Sequence, residues 1–326
     1  MIEPAKCRRV LCISVSGIGN TILFTPFAAA LKKHRPGISL DLATWTAAAG
    51  ECLEGGGLIE NFFHFPADVP GKLALIGKLR RRRYDCLVTA FPSNRWPFRL
   101  LAYLIGAPAR VGHAYRHGRM RSLAFLVNHQ IEAIEGLHDA VNNLRLLEPF
   151  AIDPEAAEAR PLFFLDEASR ERAAAWLAAE GIGQGVPLMG IHAGAGRLGA
   201  RKKWGLENFA GEAREFLEKH GNGQVVLFGG REEVAERWQL KEMIGPTGVH
   251  VFAGCLKETA ALIGKCTCFL SNDSALMHVA AVMKVKQRAI FVATRPDRTR
   301  PLNDLAEVTD LTEGTDYPYP FRSCRS

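Results

Sequence analysis

The chain alternates short, solidly apolar runs with longer segments whose apolar positions recur at helical spacing. The first apolar run, Val10 to Val15, predicts a buried strand. It breaks at Ser16-Gly17-Ile18-Gly19-Asn20. A helical pattern follows, with apolar residues at Ile22, Leu23, Phe27, Ala30 and Leu31, and closes at Pro36-Gly37. The predicted unit is therefore strand, glycine turn, helix. The glycines permit a tight turn and a close backbone approach. That turn aims the helix's unpaired N–H groups, and Asn20, at whatever lies above the strand end. Pro26 leaves two readings: an early, kinked turn, or a helix beginning at Pro26 and capped by Thr25.

Further along, ISLDLATW is a second strand, and KLALIGKLRRRRYDCLVTAFPS is a basic helix running into a strand from Tyr84 to Ala90. LHDAVNNLRLLEPFAI reads as an amphipathic helix. The Ala- and Glu-rich stretch that follows turns to Gly and Pro, which places a domain boundary near residue 160, dividing the chain into 1–160 and 161–326. In the second half, PLMGIHAGA, QVVLFGG, HVFAG, CFLSND and RAIFVAT read as strands separated by helices. Strands alternating with helices predict parallel α/β layers. Four or five such units make a doubly wound sheet whose ligands sit beyond the strand ends.

Composition narrows the class. The 326 residues are 48% hydrophobic and 23% charged, as in globular proteins. No apolar run of about 20 residues occurs, so no membrane-spanning helix is expected. The opening MIEPAKCRRV carries no apolar signal core, and the eight cysteines are scattered without zinc spacing. Reduced thiols, a cytoplasmic address and no metal are expected. The net charge of +7 and pI of about 9.0 favour an anionic partner: nucleic acid, a phosphorylated substrate or the inner leaflet. No RNA-binding signature, zinc finger or long basic tail is present, so nucleic acid is not the expected partner. Arg80 to Arg83 read either as a solvated helix end or as a contact to lipid phosphates. Trp96, Phe98 and Tyr103 fit core packing more readily than lipid anchoring, and Arg119 and Arg121 suit an acidic acceptor.

Three strand ends in the second half carry polar clusters. Gly190-Ile191-His192-Ala193-Gly194-Ala195-Gly196 leads to Arg201-Lys202-Lys203-Trp204, either a diphosphate clamp or a mobile basic loop. Phe228-Gly229-Gly230 is a turn that lets a ligand approach backbone. Ser271-Asn272-Asp273-Ser274-Ala275-Leu276-Met277-His278 is either a ligand site or a plain helix N-cap. The dinucleotide fingerprint G-x-G-x-x-G is excluded, because Ile22 stands at its last glycine. A nicotinamide oxidoreductase is correspondingly disfavoured.

These motifs, in this order, resemble the heptosyltransferases, glycosyltransferases that add heptose to the lipopolysaccharide core. The resemblance rests on VSGIGNTILFTP at the opening, on Pro92, Ser93, Gly106, Pro108, Arg110, Gly112 and Arg119, and then on HAGA at 192–195, Lys202, Trp204, Gly229-Gly230 and SNDSALMH at 271–278. It covers residues 10 to about 300. It implies a GT-B fold: α/β, with two Rossmann-like doubly wound domains facing across a cleft. The donor, a nucleotide sugar such as ADP-heptose, would be held by His192, Gly194, Lys202, Gly229, Asp273, Ser274 and His278. The anionic lipopolysaccharide core acceptor would lie by Ser16, Gly17, Gly19, Ser93, Arg119 and Arg121. Transfer would invert the sugar without a metal or cofactor, at the cytoplasmic face of the inner membrane, with peripheral membrane contact. Two positions depart from the family: Ala275 stands where it has Gly, and Asn20 where it has its catalytic-base Asp. An amide has no useful proton affinity near neutral pH. The chain would then be an impaired, nucleotide-sugar-binding relative, or another group, among His113, His117 and Asp273, would serve as base.

Overall fold

The computed structural model describes residues 3, 6–14, 17–93, 95–115, 123–196 and 199–312. The chain divides into two compact units, one running to Leu162 and the next beginning at Phe163.

The first unit is built on strands β1 (Arg9–Ser14), β2 (Ser39–Thr44), β3 (Asn61–His64), β4 (Cys86–Thr89), β5 (Ala109–Ala114) and β6 (His129–Glu132), all parallel, in the order β3-β2-β1-β4-β5-β6. Helices α1 (Ile18–His34), α2 (Ala47–Glu51), α3 (Val69–Arg81), α4 (Trp96–Ile105) and α5 (Asp139–Leu144) cover it. Leu79 of α3 and Leu101, Ala102 and Ile105 of α4 pack on Leu11, Ile13 and Leu87 of the sheet. Burial on both faces explains why β1 is a continuous apolar run rather than an alternating one. Strands β5 and β6 were not expected as strands. Each is short and interrupted by polar residues, and β5 buries His113 among its apolar positions.

Helix α1 begins at Ile18 and runs unbroken through Pro26, so Thr25 does not cap it. Proline at 26 removes the N–H that would bond to the carbonyl four residues earlier. The Thr25 hydroxyl donates to that carbonyl, Ile22 C=O, at 2.7 Å, and accepts the Leu162 N–H at 2.7 Å. The single amphipathic helix expected after residue 137 is instead the short α5 followed by a 3-10 stretch, Arg145–Phe150, that contains Pro149. Its asparagines are buried. Asn143 accepts the Phe91 N–H at 2.9 Å and donates to Leu23 C=O at 3.3 Å, tying α1, α5 and the loop after β4 together.

The second unit repeats the plan. Strands β7 (Leu188–His192), β8 (Gln224–Leu227), β9 (Val249–Val251), β10 (Cys268–Asn272), β11 (Lys286–Phe291) and β12 (Ala306–Asp310) are parallel, in the order β12-β11-β10-β7-β8-β9. Helices α6 (Glu167–Ala179), α7 (Leu206–His220), α8 (Val234–Ile244), α9 (Leu256–Ile263), α10 (Ala275–Val282) and α11 (Pro296–Thr299) surround it. Phe209, Ala210 and Ala213 of α7 and Leu240 and Ile244 of α8 fill one face against Ile191, Val225 and Leu227. The sequence reading closed the series at β11. Strand β12 extends it at the edge, where pairing on one side only leaves residues exposed and removes the apolar signature.

Both sheets follow one rule of connection: two strands are laid to one side of the first, then three to the other. The reversal falls between β1 and β4 in the first unit and between β7 and β10 in the second. Ligands of open parallel sheets bind beyond the carboxyl ends of the strands at such a reversal.

Candidate functional site: the polar clusters at the two sheet reversals

Neighbouring strands β7 and β10 end in His192 and Asn272, and Ser271 pairs with His192 in register. Asn272 is fully buried and holds the two emerging loops together. It donates to Ala193 C=O at 2.6 Å and accepts the Trp204 N–H at 3.1 Å. That staple brings the basic segment after β7 over the start of α10. Lys202 Nζ then donates to Asp273 Oδ2 at 2.5 Å, and Thr294 Oγ1 donates to the same oxygen at 2.5 Å. Asp273 is buried, whereas the Lys202 side chain keeps about a quarter of its surface exposed (27%), so the ammonium can reach a ligand.

Beside this pair runs a second chain of hydrogen bonds. Ser274 Oγ lies 2.9 Å from His192 Nδ1, and His192 Nε2 lies 3.1 Å from Glu233 Oε2. Glu233 also accepts the Gly230 N–H at 2.8 Å and the Gly196 N–H at 3.3 Å. Burial works against its charge, yet His192 and the two amides outweigh that cost and hold the carboxyl at about 2. Glu233 is therefore ionised at neutral pH, and the His192 Nε2 facing it carries a proton. Ser274 is the residue before α10, but its hydroxyl makes no capping bond. Nor does Asp273 cap the helix, since its carboxylate is engaged with Lys202 and Thr294. The plain N-cap reading of this segment is thus set aside. His278 is buried one turn further along α10.

Gly194 was expected among the residues holding the donor, and Gly229 in a turn that lets a ligand approach backbone. The space beside both is taken by Glu233. A Cβ on Gly194 would lie 1.9 Å from Oε1, and one on Gly229 would lie 2.9 Å from Oε2.

At the reversal of the first unit, Gly17 precedes α1, and Gly19 and Asn20 stand in its first turn. A 2.7 Å bond between Ser14 Oγ and Thr21 Oγ1 pins the turn to β1. The Asn20 side chain is half-buried and has no hydrogen-bond partner among the described residues. Ser93 is buried, and its N–H donates to Tyr115 Oη at 2.8 Å. Ser16, His117, Arg119 and Arg121 lie outside the described residues. His113 does not suit the role of base. It is buried with Nε2 2.9 Å from Asn142 C=O, and burial, with help from Arg145 and Arg99, pushes it down to about 3. Asp273 is committed to Lys202 in the other unit. Among the described residues, no group of three or more His, Cys, Asp or Glu side chains is placed to hold a metal.

Three members of the second cluster were not anticipated: Glu233, Asn272 as a staple, and Thr294. Glu233 had a readable signal, since Gly230-x-x-Glu233 has the spacing of a capping box. Asn272 lay inside a motif already singled out. Nothing in the sequence marks Thr294.

Two parallel sheets of this order, with polar clusters at their reversals, define a GT-B-type α/β protein. Residues 72–318 match the family described as glycosyltransferase family 9 (heptosyltransferase). The lipooligosaccharide heptosyltransferase 2 of Haemophilus influenzae is 36% identical over 133 residues, 39% of this chain; the match spans only 38% of that relative's length. Among solved structures, a glycosyl transferase family 9 protein from Veillonella parvula superposes with a TM-score of 0.81 at 20% identity, covering 96% of this chain and 88% of that one. The E. coli ADP-heptose lipopolysaccharide heptosyltransferase II superposes at 0.75 with 21% identity, covering 92% and 90%. The structural likenesses establish the fold. The chain belongs to glycosyltransferase family 9.

Proposed function

We propose that this chain transfers heptose, or a related sugar, from a nucleotide-sugar donor such as ADP-heptose to the lipopolysaccharide core, at the cytoplasmic face of the inner membrane. The observation that carries the reading is the convergence of Lys202, Asp273, Ser274 and His192 at the β7/β10 reversal. Lys202 supplies positive charge for the leaving diphosphate, released from Asp273 as the donor enters. The N–H groups opening α10, which Ser274 does not cap, face the same charge. In the reaction an acceptor hydroxyl attacks the anomeric carbon from the side opposite the nucleotide. The bond from that carbon to the diphosphate oxygen breaks, the configuration inverts, the nucleoside diphosphate departs with the bonding pair, and the hydroxyl proton passes to solvent water. Lys202 and the α10 amides meet that charge, and the proposed reaction needs no metal or cofactor. Calorimetry with ADP tests the donor half: binding that weakens in Lys202→Ala supports it, and no binding of ADP or any other nucleoside diphosphate overturns it.

Asn20 favours a second reading. The acceptor hydroxyl must lose a proton, and an amide cannot take it as a carboxylate would. His113 is buried away from the task. The chain is then a donor-binding relative in which transfer is slow or lost. Asn20→Asp separates the readings, since a gain of transfer marks a crippled enzyme and its absence a binding protein.

A further inference from the structure

Ser274, His192 and Glu233 form a hydrogen-bonded relay drawn from three strand ends of the second unit. Ser274 follows β10 and opens α10, His192 closes β7, and Glu233 follows β8 in the 3-10 turn Arg231–Glu233. The relay runs inward from a half-buried hydroxyl. Ser274 keeps part of its surface exposed, whereas His192 and Glu233 are buried. The bonds fix which atoms can exchange a proton. Glu233 accepts from His192 Nε2 and from the Gly196 and Gly230 amides, so its carboxylate only accepts and Nε2 keeps its hydrogen. His192 Nδ1, 2.9 Å from Ser274 Oγ, is the one ring atom left to change.

Two arrangements of hydrogens follow. With His192 neutral, Nδ1 is bare and can only accept, so the Ser274 hydroxyl hydrogen points at it and the outward side of Oγ offers lone pairs. With Nδ1 protonated, the bond reverses. Nδ1–H donates to Ser274 Oγ, and the hydroxyl hydrogen is free to turn outward. An ionised diphosphate oxygen carries no hydrogen and only accepts, so Ser274 can bond to it in the second arrangement alone. Burial opposes a charged imidazole, and a carboxylate 3.1 Å from Nε2 offsets that opposition. The other charges near the relay hold partners of their own. Lys202 is paired with Asp273 and Lys203 with Glu236. Arg237 of α8 donates to the Phe252 and Gly230 carbonyls. Glu232 and Arg231, in the same turn as Glu233, are exposed. Among the described residues, His278 of α10 is the other buried imidazole of this unit, so substitution at His192 alone separates the two.

We propose that Glu233 is a positioning residue for the donor: its charge against His192 Nε2 lets His192 take up a proton at Nδ1 as the diphosphate arrives, which turns the Ser274 hydroxyl onto a phosphate oxygen. Donor binding is then linked to proton uptake, and the imidazolium adds positive charge one bond from the leaving group. The proton comes from solvent and returns to it when the nucleotide departs. The inference rests on the function proposed above in taking a nucleoside diphosphate as the ligand, and adds to it what the buried half of the cluster does.

The experiment is calorimetry of the full chain with ADP between about pH 6.5 and 8.5, in buffers that differ in heat of ionisation, which counts the protons taken up on binding. The terminal phosphate of ADP titrates in the same range and contributes alike to every variant. Each result is therefore read as a difference from His192→Asn or, should that variant not fold, from Ser274→Ala. Near pH 8 the parent should take up about one proton more than the reference variant, and its affinity should fall by up to about tenfold per unit of pH relative to it. Glu233→Gln keeps an acceptor for Nε2 without the charge, so the midpoint of its pH profile should move down by about one unit or more. A merely structural loss would weaken binding at every pH and leave the midpoint in place. Equal proton uptake by the parent and the reference variant, or an unmoved midpoint in Glu233→Gln, would overturn the proposal while ADP binding leaves the donor reading standing. No binding of ADP at any pH would overturn both.

Discussion

The Glu233 carboxylate fills the space that a side chain on Gly194 would need, since a Cβ there would lie 1.9 Å from Oε1. Glycine at 194 is therefore bound to the placement of Glu233, and through it to His192 and Ser274. Gly194→Ala should displace the carboxylate and destabilise the second unit by about 1–3 kcal/mol. Glu233→Ala should cost a similar amount, because the Gly230 and Gly196 amides and His192 lose their acceptor. The two changes are in contact, so denaturant melts of the double variant should show a loss smaller than the sum by about 1 kcal/mol.

Among the described residues, Lys202 is the one cation bonded to Asp273. Lys202→Ala should lower ADP affinity by about tenfold or more, equivalent to about 1.4 kcal/mol. Binding of adenosine, which lacks phosphate, should be unchanged in the same titration. An equal loss for both ligands would place Lys202 away from the phosphates.

Asn20→Asp should raise the transfer rate by about 10²–10⁴-fold, the usual worth of general-base assistance. Donor affinity by calorimetry should not move, because the new carboxylate is asked to take the acceptor's proton and not to bind the diphosphate. The gained activity should rise with pH as the new carboxylate ionises.

His113 and Glu233 make stability depend on pH in separable windows. Burial holds His113 near 3 against an ordinary 6.5, so the unfolded chain binds the extra proton between those values. Its contribution is complete above 6.5 and is lost as pH falls toward 3. Glu233, held at about 2 against 4.5, contributes fully above 4.5 and loses that contribution as pH falls toward 2. Denaturation at pH 7 and pH 5 should therefore show a loss that His113→Gln largely removes, since each unit of separation is worth about 1.4 kcal/mol. Glu233→Gln should lower stability equally at pH 7 and pH 5, leaving the difference between them unaltered, and should remove the pH dependence between about 4.5 and about 2.

Legibility followed burial. Strands β1, β4, β7, β8, β10 and β11 lie inside their sheets, apolar on both faces, and their composition announces them. Strands β5, β6 and β12 were hidden because a buried histidine, a half-polar tetrapeptide and an exposed edge break that pattern. The helix expected after residue 137 failed for the converse reason: Asn142 and Asn143, which look like a solvated face, point into the interior and bond there.

By itself the sequence determined the series of strands and helices, the glycine turn before α1, and the residue types at the strand ends: His192, Lys202, Asp273 and Ser274. Those are local matters, set by apolar periodicity and by backbone freedom. Which of these groups touch was decided only in three dimensions. Lys202 reaches Asp273 across 71 positions, and His192 reaches Ser274 across 82 and Glu233 across 41. Those separations close only because the strand order sets β10 and β8 on either side of β7. A hydrogen bond depends on about 3 Å of space and not on distance along the chain, so partnership belongs to the packed sheet.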